Sequence, residues 1–464
     1  MKIILKNVGV FKYVEYELGD LTIICGENNS GKTYATYCLY GFYDFWNNGY
    51  LIKRTDSEIT KLMETGSLKI SLKDLKVDVN EILLDSSKQY TKYLPNILAA
   101  NEKHFENSSF EIRLDENEIN VQDEYNRSWR TQKREMIQIS KEMGKDEITV
   151  SLLIDTQDIN SISIRQNLKN AIGQSLKDVI FGNTFSDIFI ASAERTGAVI
   201  FKDELNFEKN IILKELAGSN DINMENIINK VYSSRYALPV KRNIDFIRKL
   251  EDVSKRESFI TKMHPDILDD FIDIIGGEYK VGKDGLYYTP RSNKNIKLSM
   301  GESSSSVRSL LDVGFYLRHI AEKGDILMID EPELNLHPCN QRRLAKLLAR
   351  LINIGIKVFI TTHSDYIVKE MNTLIMLHYT KESESIKNLM FEFKYKNIEL
   401  IDPDRVKVYI SEKGKIQIEG NTRKSTIQSL FKANIDKFYG IEASSFDNTI
   451  DVMNKIQQSI IIGR

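Results

Sequence analysis

The stretch GENNSGKT, residues 26–33, lies between an apolar run at residues 21–25 and a segment with helical spacing. It matches the pattern G-x-x-x-x-G-K-[ST] in full and has the flanking strand and helix that this pattern requires. In such a turn, backbone N–H groups and the N-terminus of the following helix bind phosphate oxygens. The stretch predicts a nucleotide phosphate site, and its expected contact residues are Gly26, Asn28, Asn29, Ser30, Gly31, Lys32 and Thr33.

Two side chains of this stretch have distinct expected roles. Lys32 is predicted to reach the β- and γ-phosphates, and the Thr33 hydroxyl is predicted to bind Mg²⁺. The alternative is an accidental loop with a surface lysine. That alternative loses weight because further motifs in the chain fit the same chemistry.

A second motif, DILMIDEPELNLHP at residues 325–338, places Asp330 and Glu331 directly after four apolar residues. This pattern predicts a buried strand with both carboxylates at its C-terminal end, where ligands of open parallel sheets bind. We expect Asp330 to hold Mg²⁺ and Glu331 to polarise the attacking water as the general base. A solvated acidic pair is the alternative when such a motif stands alone.

Two more motifs complete a characteristic order. LSMGE (298–302) precedes a serine-capped helical segment, and TTHSD (361–365) closes the strand after the Asp-Glu pair. With these motifs the chain resembles the ABC-type ATPases, in which phosphate loop, signature, Asp-Glu pair and switch histidine follow in this order. The resemblance implies two facing heads with ATP between one phosphate loop and the signature of a second copy. It also implies that Ser299 and Gly301 contact the γ-phosphate in trans and His363 contacts it in cis.

The details of these motifs resemble one part of that class. Met300 in the signature and PELNLHP after Glu331 are similar to the RecF and OLD (overcoming lysogenisation defect) groups and differ from transporters. The resemblance implies an α/β fold, with an ABC-type ATPase head of mixed β-sheet and P-loop core plus an inserted, largely helical lobe. The motifs cover about 1–46 and 296–378. We expect head segments at 1–50 and 291–380, an inserted lobe at 51–290, and a C-terminal appendage at 381–464.

Composition indicates the class of protein and the cellular compartment that we expect. The chain has 464 residues, of which 41% are hydrophobic and 28% charged, as in globular proteins of two or three lobes. A formal charge of −2 argues against a generally basic nucleic-acid surface. The three separated cysteines favour neither a disulfide framework nor a Cys-based zinc site. Since no segment has the pattern of a signal peptide or a membrane span, we expect a cytoplasmic protein without a membrane partner.

Spacing patterns give further local predictions. Residues 128–145 are predicted to form a charged helix, residues 203–275 mostly helices, and EYKVGKDGLYYTP (278–290) a hairpin. Apolar spacing from Val307 predicts one helix that ends at Gly324. The family's glutamine in the first lobe has five candidates, namely Gln122, Gln132, Gln138, Gln157 and Gln166.

Three features leave alternatives open. Arg195 in SAERTGA (192–198) is a candidate sensor of phosphate or of a neighbouring subunit, and a salt bridge of Glu194 is the alternative. RSWRTQKR (127–134) fits either a nucleic-acid contact or a solvated helix face. OLD nucleases carry a TOPRIM domain, which needs a glutamate followed by an Asp-x-Asp pair. Here Asp402 and Asp404 precede Glu419 and only 45 residues follow it (464 − 419), so we predict no nuclease domain.

The leading expectation is an ATPase that binds and hydrolyses ATP with Mg²⁺. By resemblance it is a nucleotide-gated sensor or scaffold that controls a separate effector, a nuclease or toxin, in anti-phage defence. It is expected to assemble as a head-to-head dimer or a higher oligomer. One alternative is a RecF-like clamp for DNA repair or maintenance, with nucleic acid as its partner. The other is a scaffold that binds ATP with negligible turnover.

Overall fold

The computed structural model describes residues 1–73, 79–130, 135–153, 162–201, 236–282, 285–417, 424–441 and 457–458. The chain forms two compact units. The first unit comprises Met1–Ile4, Phe42–Lys92 and Ser109–Ser186, and the second comprises Leu5–Gly41, Tyr93–Ser108 and Asp187–Arg464. None of the described helices is long and apolar enough to cross a membrane.

The described strands are numbered in chain order. They are β1 (Lys2–Val8), β2 (Phe11–Glu17), β3 (Leu21–Gly26), β4 (Ser67–Ser71), β5 (Ser109–Arg113), β6 (Tyr125–Arg130), β7 (Glu135–Lys141), β8 (Glu147–Leu152), β9 (Ile188–Ala191), β10 (Gly277–Gly282), β11 (Gly285–Pro290), β12 (Leu298–Ser299), β13 (Ile326–Asp330), β14 (Lys357–Thr362), β15 (Val406–Ile416), β16 (Ser425–Lys432), β17 (Ile435–Asp436) and β18 (Gly440–Ile441).

The described α-helices are numbered in the same way. They are α1 (Lys32–Asn48), α2 (Asp56–Thr65), α3 (Val79–Thr91), α4 (Leu94–Ile97), α5 (Ile162–Phe181), α6 (Arg195–Ile200), α7 (Leu238–Arg248), α8 (Leu250–Val253), α9 (Phe259–Met263), α10 (Pro265–Ile275), α11 (Ser305–Ser309), α12 (Leu311–His319), α13 (Pro338–Asn353), α14 (Asp365–Thr380) and α15 (Glu384–Glu392).

The second unit contains a six-stranded mixed sheet with the order β16-β15-β3-β14-β13-β9. Its five strands from β15 to β9 run parallel, and β16 is antiparallel at the edge. Every residue of β3 and of β13 is buried, which explains their continuous apolar sequences. The α/β class predicted from the sequence is confirmed. Because β3, β14 and β13 are adjacent and parallel, their carboxyl ends meet at one edge of the sheet.

Residues 381–464 contribute to this sheet. β15 pairs in parallel with β3, with Val406 opposite Leu21 and Ser411 opposite Gly26. β16 then returns beside β15 in the antiparallel direction. The segment predicted as an appendage therefore supplies a strand directly beside the one that leads into the GENNSGKT loop.

The first unit contains an antiparallel sheet with the order β4-β8-β7-β6. The helix predicted for residues 128–145 is wrong, because the described residues of this stretch include the end of β6 and all of β7. The apolar side chains of Ile137 and Ile139 are both buried two residues apart, which is the period of a strand. The charged residues around them concealed this alternation in the sequence.

Other local predictions have mixed outcomes. The hairpin is confirmed, since β10 and β11 are antiparallel, although its turn at residues 283–284 lies outside the described residues. The single helix predicted to end at Gly324 is wrong. The backbone breaks at Leu310 (φ −107°), which separates α11 from α12, and α12 ends at His319. Of the predicted helical stretch 203–275, the described part from residue 236 contains α7 to α10.

Candidate functional site

The loop at residues 26–33 connects the C-terminal end of β3 to the first residue of α1. Gly26 has φ +145° and Gly31 has φ +101°, backbone angles that residues with a side chain rarely adopt. A Cβ atom on Gly26 would lie 2.6 Å from the carbonyl oxygen of Ser411, and one on Gly31 would lie 2.6 Å from the Phe11 ring. The Ser411 hydroxyl also donates to the carbonyl of Ser30 (2.8 Å). Both glycines are therefore required for the loop to pass so close to its neighbours.

Lys32 is buried under this loop. Its Nζ donates to the carbonyl oxygens of Gly26 (2.9 Å) and Glu27 (2.8 Å). Burial lowers the pKa of Lys32, and the carboxylates of Glu331, Asp330 and Glu333 act in the opposite direction. The ammonium group thus lies within electrostatic range of the acidic residues at the end of β13.

Asp330 is the last residue of β13, and its side chain is buried. Its Oδ1 accepts a hydrogen bond from the Thr361 hydroxyl of β14, the neighbouring strand. Its Oδ2 is buried and has no hydrogen-bond partner among the described residues. Burial raises the pKa of Asp330 to about 6. A buried carboxylate oxygen without a donor fits a site for a hydrated cation, since hydration water would satisfy it.

Glu331 follows with a left-handed backbone, φ +51°, which is uncommon for a residue with a side chain. Its N–H donates to the carbonyl oxygen of Thr361 (3.0 Å), which fixes the turn against β14. The side chain remains about a quarter exposed, at 26%. The two adjacent carboxylates therefore differ in exposure, since Asp330 is buried and Glu331 is accessible.

His363 follows the end of β14 and contacts two carboxylates. Its Nδ1 lies 3.3 Å from Oε1 of Glu333 and 3.7 Å from Oε1 of Glu331. The same Oε1 of Glu333 accepts from the backbone N–H of His363 (2.8 Å) and from the Thr362 hydroxyl (2.9 Å). Sequence reasoning did not single out Glu333, although it stands two residues after Glu331 in the same motif. The structure shows that it is the residue that holds the imidazole next to Glu331.

The LSMGE segment forms a separate, ordered turn. Oε2 of Glu302 accepts from the backbone N–H and from the hydroxyl of Ser299, each at 2.8 Å. Arg308 donates to the carbonyl oxygens of Met300 (3.1 Å) and Gly301 (3.4 Å). Ser299 and Gly301 are exposed, and no hydrogen bond or ion pair among the described residues joins either of them to the loop at 26–33. The turn is internally fixed and open to solvent.

Arg195 is fully buried beside this group. Its guanidinium donates to the carbonyl oxygens of Asp330 (2.7 Å) and Glu331 (2.9 Å). It also donates to the carbonyls of Ser309 (2.5 Å) and Ser192 (2.8 Å). Neither alternative predicted for SAERTGA describes this arrangement, because Arg195 is not accessible to a ligand and Glu194 accepts instead from the Tyr37 hydroxyl (2.8 Å).

The other sequence candidates lie in paired or structural positions. Arg127 pairs with Asp178 (3.0 Å), and its guanidinium stacks 4.3 Å from the centre of the Trp129 ring. Arg130 pairs with Glu135. Lys133 and Arg134 lie outside the described residues. Among the candidate glutamines, the side chain of Gln138 donates to Asn126 and that of Gln166 donates to Asn170. The backbone N–H of Gln122 donates to the carbonyl of Val179. Gln132 and Gln157 lie outside the described residues.

Of the acidic candidates in the tail, the structure describes Asp402 and Asp404. Asp402 accepts from the backbone N–H of Asp404 (3.0 Å), which caps a short turn, and Glu419 lies outside the described residues. Across the part of the chain that the structure describes, no group of three or more His, Cys, Asp or Glu side chains could hold a metal ion by itself. A cation at Asp330 would therefore need ligands from a bound phosphate and water as well.

Comparisons with known proteins identify one family. A family model described as an AAA ATPase domain matches residues 1–368. No curated protein matches the chain significantly in sequence. Similar solved structures include an SMC head bound to the C-winged helix domain of ScpA (11% identity, 92% of this chain and 97% of that one, TM-score 0.32). A second is the SMC head domain from Thermotoga maritima (11% identity, 80% of this chain and 90% of that one, TM-score 0.25). A third is a Pyrococcus furiosus Smc head domain with an extended coiled coil bound to the C-terminal domain of ScpA (11% identity, 98% of this chain and 98% of that one, TM-score 0.29). Similarity at these TM-scores supports no conclusion by itself.

Proposed function

The chain belongs to the AAA ATPase domain family, and from that premise we propose that it binds ATP with Mg²⁺ and hydrolyses it at the edge of the six-stranded sheet. The observation that carries the proposal is the convergence of three neighbouring strand ends. β3 leads into the GENNSGKT loop, β13 ends at Asp330, and β14 ends next to His363. A phosphate-binding loop, a buried carboxylate with a free oxygen and an accessible carboxylate therefore share one edge.

The residues of this edge have complementary roles in the proposal. The loop N–H groups from Gly26 to Thr33 bind the phosphates, and Lys32 turns from its carbonyl partners toward them. Thr33 and Asp330 would hold Mg²⁺, which would neutralise phosphate charge there. The free Oδ2 of Asp330 supports this assignment because it lacks any other donor among the described residues.

Glu331 is the proposed general base. Its side chain is accessible, and the fixed left-handed turn holds it beside His363. Glu331 accepts a proton from the attacking water, and His363 contacts the γ-phosphate. Glu333 keeps the imidazole in place through its contacts with the backbone and with Nδ1 of His363.

A second copy of the chain completes the site in this proposal. The exposed LSMGE turn presents Ser299 and Gly301 to solvent, and Glu302 and Arg308 fix its shape. A rigid, exposed turn of this kind is suited to bind the γ-phosphate on another copy at little entropic cost. The proposed assembly is a head-to-head dimer, which higher oligomers would contain.

The cellular role rests on the motif resemblance alone. We assign the chain to the OLD/RecF-like group, as a cytoplasmic nucleotide-gated sensor or scaffold that controls a separate effector nuclease or toxin in anti-phage defence. The DNA clamp gains no support from the described residues of 127–134, since Arg127 and Arg130 are both paired with carboxylates. A co-purified toxic protein from the native host would favour the effector role, and purification of the chain alone would count against it.

Substitution of Glu331 by Gln tests the catalytic proposal directly. General-base removal typically reduces turnover by about 10²–10⁴-fold, so E331Q should lose ATP hydrolysis while its affinity for ATP is retained. Glu384→Gln, on the exposed first turn of α15, is the matched control and should behave like the wild type. Unchanged hydrolysis by E331Q would exclude Glu331 as the base.

A further inference from the structure

We propose that Arg195 is a positioning residue that sets the backbone of Glu331 and couples it to the LSMGE turn. This inference rests on the proposed role of Glu331 as the general base. It concerns a buried side chain that has no access to the nucleotide, so its effect must pass through the residues that it holds.

The first step is the contact with the Asp-Glu turn. Nη1 of Arg195 donates to the carbonyl of Asp330 (2.7 Å), and Nη2 donates to the carbonyl of Glu331 (2.9 Å). One guanidinium group thus donates hydrogen bonds to two consecutive peptide groups. The planar fork of arginine can make such paired bonds, whereas the single ammonium of lysine cannot reproduce them.

The second step is the strain in that turn. The left-handed backbone of Glu331 (φ +51°) persists only where neighbouring groups enforce it. Its N–H is bound to the carbonyl of Thr361, and its carbonyl is bound by Arg195. The Glu331 carbonyl also accepts from the N–H of Leu334 (3.2 Å). Arg195 therefore supplies one of two restraints on the carbonyl side of Glu331, and it is the one that comes from another segment of the chain.

The third step links the turn to the LSMGE segment. Nε of Arg195 donates to the carbonyl of Ser309 (2.5 Å), and the Ser309 hydroxyl donates to the carbonyl of Leu334 (3.0 Å). The preceding residue, Arg308, binds the carbonyls of Met300 and Gly301. Hydrogen bonds of Arg308 and Arg195, joined by the peptide bond between Arg308 and Ser309, therefore connect Gly301 to Glu331.

This connection has a functional consequence. When a second copy's nucleotide engages the LSMGE turn, a displacement of Arg308 and Ser309 reaches Glu331 through Arg195. The direction of the Glu331 carboxylate then depends on the position of the LSMGE turn, which ties hydrolysis to assembly. Burial lowers the pKa of Arg195, and the carboxylates of Asp312, Asp330, Glu333 and Glu331 oppose that effect and compensate its charge.

Two variants of Arg195 and one control test the proposal. Arg195→Lys keeps the charge, and Arg195→Gln keeps part of the hydrogen bonding. Arg350→Lys is the control, because Arg350 is also buried but pairs with Asp266 and Asp270. Each variant is first compared with the wild type by circular dichroism and thermal unfolding.

The kinetic measurement separates positioning from binding. In both Arg195 variants we expect kcat for ATP to fall by roughly 10- to 100-fold, as for a misplaced catalytic group. The Kd for a fluorescent ATP analogue should change by less than about threefold, since Arg195 does not contact the nucleotide. A kcat for Arg195→Gln equal to that of Arg350→Lys would overturn the proposal.

Hydrogen exchange in the nucleotide-free protein gives an independent readout. In Arg195→Lys, amides in segments 330–336 and 303–311 should both exchange faster than in Arg350→Lys. Protection unchanged in either segment would show that Arg195 does not couple them. If the wild type neither binds nor hydrolyses ATP, the proposed function fails, while this exchange result still decides whether Arg195 holds the two segments together.

Discussion

Gly26 and Ser411 are packed so closely that a Cβ atom on Gly26 would lie 2.6 Å from the Ser411 carbonyl oxygen. Ser411 belongs to β15, which pairs with β3 although 385 residues separate the two positions (411 − 26). The GENNSGKT loop is thus held on one side by the C-terminal part of the chain.

Gly26→Ala should destabilise the protein and abolish nucleotide binding. The substitution combines a backbone angle unfavourable for alanine with a clash against backbone, for which we expect a loss of at least about 2 kcal/mol in the free energy of unfolding. Urea denaturation and binding of a fluorescent ATP analogue would measure both effects.

Gly197→Ala is the matched control for that experiment. A Cβ atom at Gly197 meets no atom within 4 Å, and the residue has no left-handed backbone. In a helix, alanine is favoured over glycine by up to about 1 kcal/mol, so stability should not fall. If both variants lost stability equally, the close contact with Ser411 would not be the cause.

The sequence predicted the local structure of those segments of the candidate site that are contiguous in the chain. The strand, loop and helix around Lys32 and the carboxylates after β13 each lie within one short segment, where apolar runs and glycines carry the signal. The pairing of β15 with β3 could not be predicted in this way. Its determinants are long-range packing and the fit of Ser411 against Gly26, which no local pattern records.

The structural roles of Arg195 and Glu333 could not be predicted from the sequence for the same reason. Their importance comes from partners on other segments, such as Ser309 for Arg195 and Thr362 for Glu333. A lone arginine or glutamate in the sequence does not reveal which backbone groups it meets. The LSMGE turn, by contrast, can be recognised in the sequence, because its serine and glycine lie in one motif with Glu302.

Glu333→Ala should reduce turnover more than nucleotide binding. The substitution removes the acceptor for the His363 N–H and for the Thr362 hydroxyl, together with the contact to Nδ1 of His363. We expect a kcat decrease on the order of 10-fold and a Kd for ATP within about threefold of the wild type. Steady-state kinetics and equilibrium binding would measure the two values.

Glu333→Gln distinguishes the effect of the contacts made by the Glu333 side chain from the effect of its negative charge. Glutamine keeps an oxygen at the Oε1 position, so the backbone contacts can survive and the decrease should be smaller than for Glu333→Ala. Wild-type turnover in Glu333→Ala would contradict the positioning role that the structure indicates for this carboxylate.

Neutralising Arg127 and Arg130 should leave any DNA binding by the chain unchanged. Each arginine already lies against a carboxylate, Asp178 or Glu135, so we expect neither to contact a DNA phosphate and any DNA to bind elsewhere on the chain. For the double variant Arg127→Gln/Arg130→Gln we expect less than about a twofold change in affinity and the same salt dependence. Fluorescence anisotropy with a labelled duplex at several salt concentrations would measure the affinity. A clear loss of salt-sensitive binding would support the DNA-clamp hypothesis.

Asp312 gives the protein a testable pH dependence. Its side chain is buried, and neither carboxyl oxygen has a hydrogen-bond partner among the described residues. Burial raises its pKa from 3.8 to about 7, although the charge of Arg195 acts to lower it. The folded state therefore retains a proton that the unfolded chain loses at lower pH.

The sign of the effect follows from that difference. Between about pH 4 and pH 7 the unfolded chain ionises first, so ionisation of Asp312 lowers the free energy of unfolding as pH rises. The loss approaches about 1.4 kcal/mol per pH unit, about 4 kcal/mol in total, and it levels off above pH 7. Asp312→Asn removes this contribution, so its stability relative to the wild type should rise from pH 4 to pH 7 and then stay constant.

Urea denaturation at pH 4, 5, 6, 7 and 8 would measure that difference. Asp325→Asn provides a comparison, because burial raises the pKa of Asp325 to about 6 and its relative stabilisation should stop increasing near that pH. A difference between Asp312→Asn and the wild type that is the same at every pH would show that Asp312 ionises at its ordinary pKa. Because the charge of Arg195 acts on Asp312, such a result would also mean that this charge, or water in the interior, offsets the effect of burial on the pKa of Asp312.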